Sequence, residues 1–165
     1  MLAAHRTATF TESVIREMTR IASLHEAVNL AQGFPDFSMP QPMKDAACAA
    51  INGNINQYAV TWGAANLRTA ITEKYRRWYG MEIDADREVT VTCGATEAMA
   101  SAPLGIVNPG DEVVIFEPFY ENYGPDAILC DARPVFVPMA VGQSLDLDRL
   151  TAAFSSKTKA IIICT

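Results

Sequence analysis

Apolar positions recur at helical spacing early in the chain and then settle into short apolar runs. Val14, Met18 and Ile21 fall at i, i+4 and i+7, and Thr9 with Glu12 has the spacing of a capping box, so residues 10–24 are predicted to form an amphipathic helix. The stretch NLAQGFPDFSMPQP that follows carries Gly33, Pro35, Pro40 and Pro42, which forbid long regular structure. Pro42 suits a first helical turn, and that helix should stop near NGN at 52–54. Leu67, Ile71, Tyr75 and Trp78 line one face of a further helix over 64–79, closed by Gly80.

From residue 88 the pattern becomes a regular alternation. A strand over 88–92 leads to a helix over 95–107, NPGDE turns into a strand over 113–116, and a helix begins within 119–130. PVFVP at 134–138 reads as a strand, 147–154 as a short helix, and AIIIC at 160–164 as a fully apolar strand. Strands that are apolar on both sides and alternate with helices imply an α/β fold, with a mostly parallel sheet and helices on both faces.

The chain of 165 residues fits one domain or most of one, long enough to bury about 70% of its unfolded surface. Half of it is hydrophobic and 19% charged, a globular profile. A net charge of −6 without a Lys/Arg cluster argues against a nucleic-acid partner, and YRRWYG at 75–80 reads as an exposed helix face. No run approaches the roughly 18 apolar residues of a membrane span, and the N-terminus lacks the apolar core of a secretion signal. Cys48, Cys93, Cys130 and Cys164 lie far apart with no C-x-x-C, so no metal site is expected. The expected location is cytoplasmic.

In open α/β sheets, ligands collect beyond the carboxyl ends of the strands. TVTCGATEAM at 90–99 joins an alternating β-branched run to a helix through Gly94, and a helix N-terminus offers N–H groups and a positive dipole end to an anion. Thr96 adds a hydroxyl. EPFYENYG at 117–124 brings aromatic faces to the same edge, suited to a planar ring. A phosphate socket beside an aromatic plate fits a phosphorylated planar cofactor, although a glycine at such a join also serves packing alone.

NLAQGFPDF, NQYAVTWGAANLRTAI, VTVTCGATEAM, NPGDEVVIFEPFYENY and AIIIC stand in the order found in fold-type I pyridoxal-phosphate aminotransferases of class I/II, which this chain resembles from about residue 10 onward. Within that family it is most similar to the kynurenine aminotransferase, glutamine transaminase K and methionine aminotransferase branch. The resemblance implies the N-terminal part of the aspartate aminotransferase-like fold, incomplete at the C-terminus. Residues 1–30 would be an arm and helix of the small domain, 31–57 a substrate-side loop and connecting helix, and 58–165 the first part of the large cofactor-binding domain.

By position in the family motifs, Gly94, Ala95 and Thr96 match the contacts to the 5′-phosphate of pyridoxal 5′-phosphate. Tyr120 matches the aromatic stacked on its ring, with Tyr123 a neighbour. Tyr58 resembles the tyrosine that reaches the partner's phosphate across a homodimer. Gly33 resembles the glycine whose backbone meets the substrate carboxylate, with Phe34 beside it in the amino-acid pocket. Asn66–Arg68 read as structural, and His5 and His25 match nothing catalytic. The implied reaction moves an amino group between an amino acid, aromatic, sulfur-containing or glutamine-like, and a 2-oxo acid.

Three alternatives stand beside it: a cysteine-conjugate β-lyase on the same fold, a non-catalytic module of that fold, and a generic phosphate-binding domain. The third leaves QGFPDF and the Tyr58 segment without a role.

The family's Schiff-base lysine, its acidic partner and its substrate arginine lie past an Asn–Pro loop, hence beyond Thr165, and no catalytic residue is expected within this chain. Its own lysines are Lys44, Lys74, Lys157 and Lys159. The first two belong to helices, and the last two precede the final strand, at the sheet's amino edge. Treatment with pyridoxal phosphate and borohydride, followed by peptide mapping, is expected to label none of the four selectively, and the chain is expected to show no transamination. Selective labelling together with turnover would overturn this.

Overall fold

The computed structural model describes residues 4–8, 10–140, 142 and 144–164. They form two compact units, Met1–Arg20 with Cys93–Thr165, and Ile21–Thr92.

The first unit is built on a three-stranded parallel sheet of β1 (Glu112–Glu117), β2 (Arg133–Pro138) and β3 (Thr158–Ile162), in the order β2-β1-β3. Ile115 lies level with Phe136 on one side and Ile162 on the other, and the β1–β3 register shifts once, between Glu112 and Val113. Side chains of a strand alternate between faces. Val113 and Ile115 therefore meet, on one side, Val107 just past α4 (Gly94–Ile106), Ala127 of α5 (Tyr123–Leu129), and Cys130 and Ala132 just beyond α5. Val114 and Phe116 meet Val137 and, from α6 (Leu147–Ala153), Leu150 and Ala153 on the other. Val113, Val114 and Ile115 are the largest fully buried side chains, each worth about 1.5–3 kcal/mol of burial. The apolar, non-alternating run thus reflects a strand covered on both faces.

The strands are tied at their amino ends by Glu112. Its carboxylate accepts hydrogen bonds from Arg133 at 2.6 Å and the Ser155 hydroxyl at 2.7 Å, and its N–H donates to the Lys157 carbonyl at 2.8 Å. These bonds, Arg133 first, hold the Glu112 carboxyl below its ordinary pKa. Its contribution is therefore present above the ordinary glutamate value and is lost as pH falls through the lowered folded value.

Helix α1 (Val14–Leu24) begins four residues later than expected. Ser13 is its cap: the Ser13 hydroxyl accepts from the Arg16 N–H at 3.3 Å and the Ser13 carbonyl from the Glu17 N–H at 2.9 Å. Thr9 lies outside the described residues, and Glu12 pairs instead with Arg20 at 3.3 Å.

The second unit holds α2 (Gln41–Asn52), with Pro42 in its first turn, and α3 (Ala65–Tyr79), ended at Gly80. The expected strand over 88–92 is not formed. The segment runs beside the chain at Trp62, with the Val91 N–H bonded to the Trp62 carbonyl at 3.0 Å. Ladder bonds need a neighbouring strand, and the described residues of this unit contain none. That contact requires Gly63: a Cβ there would sit 2.6 Å from Val91 Cγ2, and its φ of +106° lies in the region glycine favours.

The expected apolar face of α3 is largely exposed, with Trp78 at 70%. Its one buried residue is Arg68, whose Nε donates to the Gly63 carbonyl at 3.0 Å and whose second nitrogen reaches the Ala85 carbonyl and the Asp86 carboxylate, the latter at 2.8 Å. The structural reading of Asn66–Arg68 is therefore correct for Arg68, which ties the 62–63 turn to the 84–88 turn. Asp86 is solvent-exposed, so most of the tie is to the two carbonyls. Arg68→Leu is expected to lower stability by about 2–3 kcal/mol in chemical denaturation. Asp86→Ala should cost about 0–1 kcal/mol. Equal losses would shift the weight to the ion pair.

Candidate functional site

The segment at the head of α4 changes direction at Cys93 and Gly94. Gly94 has φ +83°, in the region glycine favours, and a Cβ built there would meet nothing within 4 Å, so the turn rather than crowding calls for glycine. No side chain of the N-cap residue Cys93 closes this helix end. Glu97 reaches back to accept from the Cys93 N–H, satisfying a backbone donor one step before the helix. Gly94, Ala95 and Thr96 are all exposed. A glycine-led helix N-terminus of 13 residues with a threonine hydroxyl is a donor set suited to a phosphate ester.

The same unit carries the aromatic segment, just past the carboxyl end of β1, where the Glu117–Pro118 peptide is cis. The structure gives these aromatics different surroundings. Phe119 stacks on Phe136 of β2, with centroids 5.1 Å apart and planes at 6°, and is consumed by packing. Tyr120 is 44% exposed and meets Tyr123 edge-on, centroids 5.8 Å apart at 68°. Tyr123 is partly buried, and hydrogen bonding to the Cys164 thiol, then burial, holds its phenol above the ordinary pKa. Cys164 stands just past the carboxyl end of β3, so the 117–124 segment and the end of β3 meet at one edge. Thr165 lies outside the described residues.

Gly33, Phe34 and Tyr58 belong to the second unit. All three are exposed, Phe34 at 66% and Tyr58 completely. Lys44 is in α2 and Lys74 in α3, while Lys157 and Lys159 stand at the amino end of β3, opposite Cys164. Sequence reasoning missed Glu121, whose carboxylate accepts from the Ser13 hydroxyl and, at 3.1 Å, from the Val14 N–H. Those partners are more than a hundred residues away, so no local pattern could mark the contact.

The chain belongs to the class I and II aminotransferase family, whose pattern matches residues 25–165. It is 45% identical over 157 residues to a probable N-succinyldiaminopimelate aminotransferase of Mycobacterium tuberculosis, an alignment covering 93% of this chain and 40% of that protein. It is 36% identical over 156 residues to the methionine aminotransferase of Escherichia coli, again covering 93% and 40%. With human kynurenine–oxoglutarate transaminase 1 the identity is 37%, over 90% of this chain and 39% of the relative. The solved M. tuberculosis N-succinyldiaminopimelate aminotransferase superposes with a TM-score of 0.92 at 44% identity, covering 98% of this chain and 43% of that one. The chain thus spans about 40% of the length of the curated relatives it matches. The expected fold, the N-terminal part of an aminotransferase, and the expected family are both correct, and the matches include relatives named for kynurenine and methionine.

Asp126 is the site region's odd residue. It is buried in the first turn of α5, its Oδ2 is without a hydrogen-bond partner, and burial pushes its carboxyl above the ordinary aspartate pKa. A raised folded value means the ionised form is penalised: no cost below the unfolded pKa, a growing cost as pH rises, and the full cost above the folded value. Asp126→Asn is expected to raise stability at neutral pH by about 1 kcal/mol, with the gain vanishing in acid. Urea melts at two pH values check it, and a variant less stable at neutral pH would mean that the carboxylate has a partner.

Proposed function

We propose that this chain is the cofactor-cradling portion of a pyridoxal-phosphate-dependent aminotransferase acting on amino acids and 2-oxo acids. The observation that carries it is the pairing, in one unit, of an exposed glycine-led helix start at residues 94–96 with a half-exposed ring at Tyr120 just past the carboxyl end of β1. Family membership supports the same reading.

When bound, the cofactor supplies an electron sink for the charge that develops at the α-carbon of an amino acid. This chain's residues bind and orient. Gly94 lets the phosphate dianion approach the positive end of α4 closely, where the Ala95 N–H and the Thr96 hydroxyl would hold it. Tyr120 covers one face of the ring, which fixes its plane and keeps water from that face. The Gly33 backbone and Phe34 take the substrate's carboxylate and side chain. Tyr58, fully exposed in its own subunit, reaches the phosphate of a second copy, which makes the working form a homodimer. The relatives are named for methionine, kynurenine and N-succinyldiaminopimelate, all large side chains, and Phe34 fits a substrate of that size.

In the complete protein, Tyr120→Ala is expected to lower cofactor affinity by about 1 kcal/mol or more, roughly fivefold, with Tyr120→Phe near the parent. Thr96→Glu sets a second negative charge against the phosphate and should lose most retained cofactor. Titration of apoprotein with pyridoxal phosphate checks both, and unchanged affinity in Thr96→Glu would remove residues 94–96 from the site.

A further inference from the structure

The residue bearing the candidate ring is fixed by its two sequence neighbours. On one side, Phe119 is stacked on Phe136 of β2. On the other, the Glu121 carboxylate is bonded to both the Ser13 hydroxyl and the Val14 N–H, at the start of α1. The arm preceding α1 is also anchored at the far end of α5, where Arg6 donates to the Leu129 carbonyl at 3.1 Å and pairs with Asp131 at 3.4 Å.

A carboxylate on a helix N-terminus is an ordinary stabilising contact. Here the helix does not need it for capping, because Ser13 already caps α1 locally through the Arg16 N–H. What Glu121 adds is a tether on the loop between β1 and α5. Leaving that loop free would require its backbone to be ordered each time a ring is stacked, at an entropic cost per residue that weakens binding.

We propose that the Glu121–Ser13 contact is a positioning device for Tyr120: the N-terminal arm holds the 118–122 loop so that the tyrosine ring stands ready for the cofactor before it arrives. This rests on the reading of Tyr120 as the stacking residue. Glu121 and Ser13 are positioning residues and touch no ligand, so their effect passes entirely through residue 120. The arm then contributes to cofactor binding although no residue of 4–20 is assigned to the phosphate or the ring.

The test uses the complete protein as apoprotein, titrated with pyridoxal phosphate, with affinity read from quenching of protein fluorescence and ring placement from the visible circular dichroism of the bound cofactor. Glu121→Ala is expected to weaken affinity about fivefold and to reduce the dichroic band. Ser13→Ala, which removes one bond and keeps the carboxylate on Val14, should weaken it about twofold and serves if Glu121→Ala does not fold. Glu121→Gln, which can still accept from the Val14 N–H, should restore most of the affinity and the band. In a Tyr120→Ala background, Glu121→Ala should add almost nothing, since coupled residues are not additive. Parent-like affinity and dichroism in Glu121→Ala and Ser13→Ala, with Tyr120→Ala weakened, would reduce the contact to a helix cap and overturn the proposal. Additive losses in the double variant would overturn it too. If Tyr120→Ala itself leaves affinity unchanged, the stacking reading fails first and the positioning role falls with it.

Discussion

Burial of β1 on both faces is the constraint on which the rest of its unit depends. A strand flanked by parallel neighbours and covered above and below must be apolar at successive positions, and Val113 to Phe116 are. Parallel neighbours must be reached by crossovers, which places α5 between β1 and β2 and α6 between β2 and β3, on opposite faces. Every crossover leaves from a carboxyl end. The loops free to carry ligand-binding groups are therefore gathered at one edge of the sheet, while the amino edge is left to Glu112 and its partners.

Much of this was legible because local chemistry and tertiary context agree. NPGD closes as a turn, with the Asp111 N–H on the Asn108 carbonyl at 3.1 Å, and the runs at 112–117 and 133–138 could be little other than strands. The misreadings occur where context decides. Residues 88–92 have β-branched composition, but a strand also needs a ladder partner, and composition does not provide one. The T-x-x-E spacing at 9–12 is a genuine cue, yet Ser13 caps α1 because its hydroxyl faces the Arg16 N–H and the Glu121 carboxylate waits beside it. For α3 the periodicity identifies a helix correctly, whereas burial of its apolar face requires an opposing surface that periodicity cannot reveal.

The candidate site divides in the same way. The Gly94 join and the aromatic segment were visible as short patterns, and their order along the chain made the family resemblance specific where each alone was not. That Phe119 is taken up by packing was not visible, because it depends on Phe136, seventeen positions downstream. Glu121 was invisible for a stronger version of the same reason. A glutamate among aromatics in a loop looks like solvent-exposed charge until the fold returns residue 13 to its side.

The separation of the sheet's two ends carries an evolutionary consequence. Its charged fastening, Glu112 with Arg133 and Ser155, is at the amino end of β1, and the Tyr120 loop leaves from its carboxyl end. Mutations in the Tyr120 loop therefore leave this fastening untouched, and drift in the fastening leaves that loop unchanged. A lineage on such a scaffold can vary the loops at the carboxyl edge with little loss of foldability. Relatives named for methionine and for N-succinyldiaminopimelate superpose on this chain with TM-scores of 0.91 and 0.92.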